Sequence, residues 1–452
     1  MKERSDLLVS KVADGWRLRH LSTLRSPMLL TLASAPLLMM GVSAAHAASE
    51  LNVTGGARVE YHDNLSRVSD NEDSDVDRIA LLDVGYLYDE NAVHLDLNYQ
   101  GEYHDYLHDR EEDETALNGR TDLVWQLLPR TLDFVFSHQI SQELSDRQGL
   151  NVSNNRELRS VTTTGIDWIT NFSAVDSVVV SPRFADVRFE ESDDSDSQRG
   201  SLGAAWQHRL SQVSQLSLAG NYADVKFDDG SHDYTASSLT LGFSTKLSRL
   251  SYEVAVGANE FDRDVGDKVD GFMARASLQY DSDATVWTGA LVHELTDSSV
   301  GLSGEELIID DFVADDGNFD EVDIVERSQL DLGVQHRFNA AHSAGVGIGA
   351  RDDDYEDTLR DERSYFVSAN YLYTLNSYWS LGVDLRVAKT KFLDDPQDLE
   401  YDETLYSAKI DYRYSQALTA QFALIREDRD ASDSNLSYTD NIAMFSVNYR
   451  FF

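Results

Sequence analysis

From Leu51 to the last residue, apolar and polar side chains take turns along the chain. Leu51, Val53, Ala57, Val59 and Tyr61 interleave with Asn52, Thr54, Arg58 and Glu60. Val93, Leu95, Leu97 and Tyr99 interleave with His94, Asp96, Asn98 and Gln100. The same alternation runs through Phe272 to Tyr280, Leu381 to Val387, Tyr406 to Tyr414 and Ala443 to Phe451. A period of two is that of a β-strand with one apolar and one polar face. About twenty such segments can be read (18–20), most of them 11 to 16 residues long, whereas strands of soluble sandwiches run to roughly 5 or 6.

The connectors alternate as well. Long acidic ones fall near residues 63–77, 107–115, 190–198, 259–270, 297–323, 352–362, 394–403 and 427–439. Between them lie short ones, such as Asp89-Glu90-Asn91, Pro129-Arg130, Ser248-Arg249 and Asn376-Ser377. In an up-and-down antiparallel sheet every second connector lies at the same end. Long/short alternation therefore predicts one loop-rich end and one tight-turn end, which is the pattern of a transmembrane β-barrel. Aromatic residues near strand ends, as in Tyr99, Tyr103 and Tyr106 or Tyr371, Tyr373, Tyr378 and Trp379, match an interfacial girdle. Lipid cannot satisfy an open sheet edge, so the sheet must close. The expected fold is an all-β, antiparallel up-and-down outer-membrane barrel over residues 48–452, with both termini at the periplasmic end.

Ahead of it, residues 1–47 carry Lys2, Arg4, Lys11, Arg17, Arg19 and Arg25, an apolar stretch from Met28 to Val42 and the exit Ala45-His46-Ala47. They read as a secretory signal peptide cleaved after Ala47.

Composition narrows the chemistry. The chain of 452 residues has 38 Lys+Arg against 80 Asp+Glu, a net charge of -42, which argues against a nucleic-acid partner. It has no Cys, so thiolate metal sites and cysteine nucleophiles are out. His104 and His108 beside Asp105 and Asp109 are the nearest approach to a metal pair, with no third ligand fixed by spacing. His293-Glu294 lacks the second zincin histidine, since Asp297 stands there. Asp310 to Glu321 has Phe312 and Ala314 where a calcium loop needs oxygen ligands. No G-x-S-x-G elbow or phosphate-cradling glycine loop occurs. The reading is a protein that is not an enzyme, with no catalytic residues, cofactor or metal.

Strand parity assigns an inward set: Asp96, Arg183, Arg275, Asp331, Asp384, Arg386, Lys409, Asp411 and Arg413. An Arg or Lys facing lipid at mid-depth would cost roughly 2 to 4 kcal/mol, so these are expected to face the lumen. There they would either orient passing solutes or stiffen the wall as a salt-bridge lattice. The connector Thr296 to Glu321 holds Leu307, Ile308, Ile309, Phe312 and Val313 among acids, and such an apolar cluster is expected to pack into the mouth as a constriction.

The run Ala57-Arg58-Val59-Glu60-Tyr61-His62-Asp63-Asn64-Leu65, the strand ending Leu97-Asn98-Tyr99-Gln100 and the stretch Phe134 to Gln142 resemble a known family. It is that of the exopolysaccharide-associated, PEP-CTERM-system outer-membrane β-barrels, also described as β-barrel porins of type 2. The resemblance covers about residues 51 to 145, and Asp83-Val84-Gly85 departs from the Pro-Gly that many members carry in the second strand. It implies an outer-membrane channel with a role in exopolysaccharide export or assembly. The expected partners are outer-membrane lipid and lipopolysaccharide, the barrel-assembly machinery acting on the C-terminal strand, and polysaccharide-synthesis or export proteins. A general diffusion porin and a structural or adhesive surface barrel are the alternatives.

Overall fold

The computed structural model describes residues 48–452, apart from 71–72, 109, 147, 229, 231, 299–322, 359 and 394–397. The signal-peptide reading of 1–47 and the apolar cluster at Leu307, Ile308, Ile309, Phe312 and Val313 lie outside the described residues.

Among the described residues, twenty antiparallel strands form one sheet. In chain order they are β1 (Ala48–His62), β2 (Asp75–Glu90), β3 (Val93–Tyr106), β4 (Glu114–Leu128), β5 (Leu132–Leu144), β6 (Arg156–Asn171), β7 (Asp176–Phe189), β8 (Ser197–Arg209), β9 (Ser214–Phe227) and β10 (Tyr234–Lys246). The second half comprises β11 (Leu250–Arg263), β12 (Val269–Asp281), β13 (Thr285–Asp297), β14 (Ile324–Arg337), β15 (His342–Tyr355), β16 (Glu362–Thr374), β17 (Trp379–Phe392), β18 (Glu400–Arg413), β19 (Leu418–Ala431) and β20 (Tyr438–Arg450). Each strand pairs with its sequence neighbours, and β1 pairs with β20 from Thr54↔Arg450 to His62↔Ile442. That last ladder closes the barrel and leaves no edge.

The tight turns share a device. Ser173, Asn339, Asn376 and Ser415 each open a turn and accept, through the side-chain oxygen, the backbone N–H groups two and three residues on. A short polar side chain thereby replaces the backbone partner that the reversal removes. At Pro129-Arg130 the solution differs: Arg130 has φ 62°, and the β4–β5 register shifts between Gln126 and Leu128, a bulge that absorbs the extra residue.

One face of the sheet carries Leu82, Leu202, Leu239, Val256, Leu332, Val367, Val383, Leu424 and Phe445, all exposed and all on one side of the ladders. This is the lipid-facing belt. Every tryptophan among the described residues, Trp125, Trp168, Trp206, Trp287 and Trp379, lies on that face close to the tight-turn end. A one-level tryptophan girdle marks a membrane interface. Of the aromatics singled out in the sequence, Tyr103 is exposed on the outer face, whereas Tyr106 turns inward and is buried. Leu239, 58% exposed at the middle of β10, tests the belt. Leu239→Arg is expected to lower barrel stability by roughly 2–4 kcal/mol, read as a shift in the urea midpoint of the folded band on unheated gels.

The loop-end connectors are shorter than the sequence implied. β11 runs to Arg263, β15 to Tyr355 and β19 to Ala431, so much of 259–270, 352–362 and 427–439 is strand. Above the lipid, both faces of a strand meet water and charge, and the alternation fades.

Candidate channel and its mouth

All the inward candidates lie on the face opposite the apolar belt. Arg183 donates to Asp167 at 2.5 Å, Arg275 to Glu294 at 2.5 Å and Lys409 to Asp384 at 3.1 Å. Asp331 accepts from Gln329 at 2.8 Å, and Asp411 from Gln421 at 2.6 Å and Ser380 at 3.2 Å. The Arg386 guanidinium lies over the Phe366 ring, 5.3 Å from its centre. Asp96 is in register with Leu87 and Asp122, and Arg413 with Thr419 near the tight-turn rim. The candidates do not converge on one point. They are spread around the wall, most of them paired with a neighbour on the same or the next strand.

A denser ladder crosses β20, β1, β2 and β3 nearer the loop end. Arg58 sits at its centre, 2.9 Å from Glu60 and 2.6 Å from Glu102. Each glutamate meets a histidine Nε2 at 3.4 Å, Glu60 with His62 and Glu102 with His104. Each histidine Nδ1 is in turn 2.7 Å from an aspartate, Asp440 for His62 and Asp77 for His104. His108 pairs separately with Asp75 at 2.8 Å. The two histidines that the sequence offered as a metal pair thus each bond to a different carboxylate of β2. On β14 and β15, Arg327 makes a two-pronged contact with Asp353, at 2.9 and 3.0 Å, and both are almost wholly buried.

Two structures reach inward from the loop end. The first is the connector between β5 and β6, residues 145–155. Its fold is held by Asn155, whose Nδ2 donates to the carbonyls of Asp146 at 2.7 Å and Leu150 at 2.9 Å. Its tip does not stay by its own strands. The Gly149 carbonyl accepts from Arg429 Nη1 of β19 at 2.7 Å, and the Asn151 carbonyl accepts from Arg67 of the β1–β2 connector. Along the wall, β1–β4 and β20 lie between these partners, so the connector forms a strap across that arc of the mouth. Both arginines are themselves fixed. Arg67 donates to Glu427 at 2.6 Å and lies 5.5 Å from the Tyr438 ring centre. Arg429 lies 3.7 Å above Tyr401, with Glu403 at 3.8 Å. Burial works against the charge on Arg67, but Glu427, with Tyr438 and Asp440 behind it, outweighs that and leaves the guanidinium more firmly protonated than an ordinary arginine.

The second is the top of the β13–β14 hairpin. The β12–β13 ladder ends at Ala274↔His293, while β13–β14 pairing continues to Asp297↔Ile324. The hairpin top therefore leaves β12 and leans into the barrel. There the Leu295 carbonyl accepts from Asn259 Nδ2 at 2.7 Å. Asp297 accepts from Arg199 of β8 at 2.6 Å and from the Tyr234 hydroxyl of β10 at 2.5 Å. Leu295 and Ile324 join Val225, Phe227, Tyr234 and Phe261 in the main buried apolar cluster. Asp323 accepts from the backbone of Asp357 and Thr358 at 2.9 Å and closes the base of the connector. The apolar cluster expected to constrict the mouth lies outside the described residues; the contacts of the connector's root dock that root inside the wall.

Sequence reading missed Arg67, Arg429, Glu427 and the strap. Arg429 and Glu427 are in phase with Gln421 on the inner face of β19, a signal available once the strand is taken to Ala431.

A family model described as "Putative beta-barrel porin 2" matches residues 314–404, the stretch holding β14–β17 and the start of β18. No curated protein sequence matches the chain. Among solved structures, the chain is similar to the FrpB iron transporter from Neisseria meningitidis (F3-3 variant), at 9% identity over 88% of this chain and 81% of that one, TM-score 0.45. It is similar to the siderophore receptor PirA from Pseudomonas aeruginosa, at 10% identity over 90% and 81%, TM-score 0.44. It is also similar to OmpT, an outer membrane protein of Vibrio cholerae, at 10% identity over 91% and 100%, TM-score 0.36. With its closed sheet, lipid-facing belt, interfacial tryptophans and a porin-family match over β14–β17, the chain is a bacterial outer-membrane β-barrel of twenty strands.

Proposed function

We propose that the barrel is a passive channel whose size limit is set at the loop end by the strap 145–155 and the inward-leaning β13–β14 hairpin. The observation that carries this reading is the pinning of Gly149 and Asn151 to Arg429 and Arg67 across the mouth. A structural barrel needs no strap held by partners from another arc of the wall; a pore uses one to restrict what enters. The charges below it are largely paired with one another, as befits a water-filled lumen that passes hydrophilic solutes without trapping ions.

The resemblance over about residues 51–145 supports a finer reading, that the channel serves exopolysaccharide export or assembly and works beside polysaccharide-synthesis proteins. Liposome swelling with sugars of increasing size tests the channel: swelling is expected with small sugars and should fall off sharply above a cut-off. Vesicles that do not swell with any of them would mean a sealed structural barrel. A deletion strain scored for surface polysaccharide tests the finer reading, since unchanged polysaccharide alongside normal swelling would leave a general diffusion porin.

A further inference from the structure

We infer that the inner wall of β9–β13, at the tight-turn end, is a binding track for uncharged polyhydroxylated chains such as neutral oligosaccharides. This rests on the channel reading and adds where and how a solute is held.

The track is a recess of about 910 Å³. Gln215, Ser244, Ser251, Ser277, Gln279 and Thr288 line it, and the ladders place all of them on the inner face: Gln215↔Ser244, Ser251↔Gln279 and Gln279↔Thr288 are cross-strand partners. Elsewhere in the lumen many of the charged groups are spent on one another, as in Arg183–Asp167, Lys409–Asp384 and Arg58 between two glutamates. Here short uncharged polar side chains stand side by side on five consecutive strands. Among the described residues, the side chains of Gln215, Ser244, Ser251, Ser277 and Thr288 make no hydrogen bond to protein, and Gln279 spends one N–H on Asp281 at 3.1 Å. Hydroxyl and amide groups both donate and accept, so a row of free ones complements a chain of sugar hydroxyls, which also do both. Three charged side chains stand among them as cross-strand partners, Arg209 with Gln215, Lys246 with Ser251, and Glu253 with Ser244 and Ser277; they are of mixed sign and single out no ionic ligand.

The test uses the full-length barrel in a planar bilayer with maltohexaose added on the tight-turn side. The expected result is transient interruption of the ionic current, with no such events from a polyethylene glycol of matched size, which offers acceptors along its length but no row of hydroxyl donors. The double variant Gln279→Leu/Thr288→Val keeps side-chain shape and removes the donors. It should raise the half-blocking concentration about tenfold, in line with the loss of one or two hydrogen bonds, at unchanged open conductance. If that pair fails to fold, Gln215→Ala/Ser277→Ala is the equivalent test. An ion-conducting pore that maltohexaose does not interrupt, or interrupts equally in the variants, overturns the track while leaving the channel standing. A barrel that carries no current overturns both.

Discussion

Replacing Arg67 and Arg429 together by alanine is expected to raise single-channel conductance about twofold and to move the liposome-swelling cut-off to larger sugars. The two guanidinium groups supply the hydrogen bonds that hold the Gly149 and Asn151 carbonyls to β19 and the β1–β2 connector, across that arc of the mouth. Without them the strap keeps its internal bonds, its contact from Ser153 to Glu111 on the neighbouring connector and the bond from Arg156 of its own β6 to Asn151, none of which ties its tip to β19 or to the β1–β2 connector. Arg429→Lys is a sharper control. Lysine keeps the charge but offers a point donor in place of a planar group that both stacks on Tyr401 and reaches Gly149. It should give an intermediate, noisier conductance with ion selectivity near the parent's. Unchanged conductance in the double alanine variant would remove the strap from any role in setting pore size. Since the chain has no cysteine, a pair introduced at strap and wall would be the only thiols in the barrel, and oxidation should restore the parental conductance.

The second large effect concerns stability. Asp353→Ala is expected to cost about 3–5 kcal/mol, because it leaves the buried Arg327 guanidinium without its two-pronged partner in a site where water cannot replace it. Arg351, 3.4 Å from the same carboxylate, loses a contact too. The measurement is the urea midpoint of the heat-modifiable folded band. By contrast, Arg363→Ala breaks the more exposed Arg363–Asp352 pair on the outer face of the same two-strand region and should move the midpoint little, by about 0–1 kcal/mol. Equal effects from the two would show that burial is not what gives the Arg327–Asp353 pair its weight.

The barrel was legible in the sequence because lipid on one side and water on the other force a strict two-residue alternation. Strand parity alone was enough to put Asp96, Asp331, Asp384 and Lys409 opposite Val383, Val387 and Tyr406. The mouth was not legible, for two physical reasons. Above the lipid that contrast vanishes, so the upper ends of β18 and β19 read as acidic connectors. With them went Tyr401, Glu403, Glu427 and Arg429. The strap contact itself has no local signature, because Arg429 and Gly149 are brought together only by closure of the whole ring. The root of the β13–β14 connector is anchored by Asp297 with Arg199 and Tyr234, polar groups that local composition does not distinguish.

The placement of the tryptophans gives the barrel a built-in optical gauge. All of those in the barrel stand at one level, so their emission colour and its quenching by lipids brominated at known depths report where a single rim sits. A reconstituted sample can then be followed as that rim settles into its leaflet, with no dye or label attached.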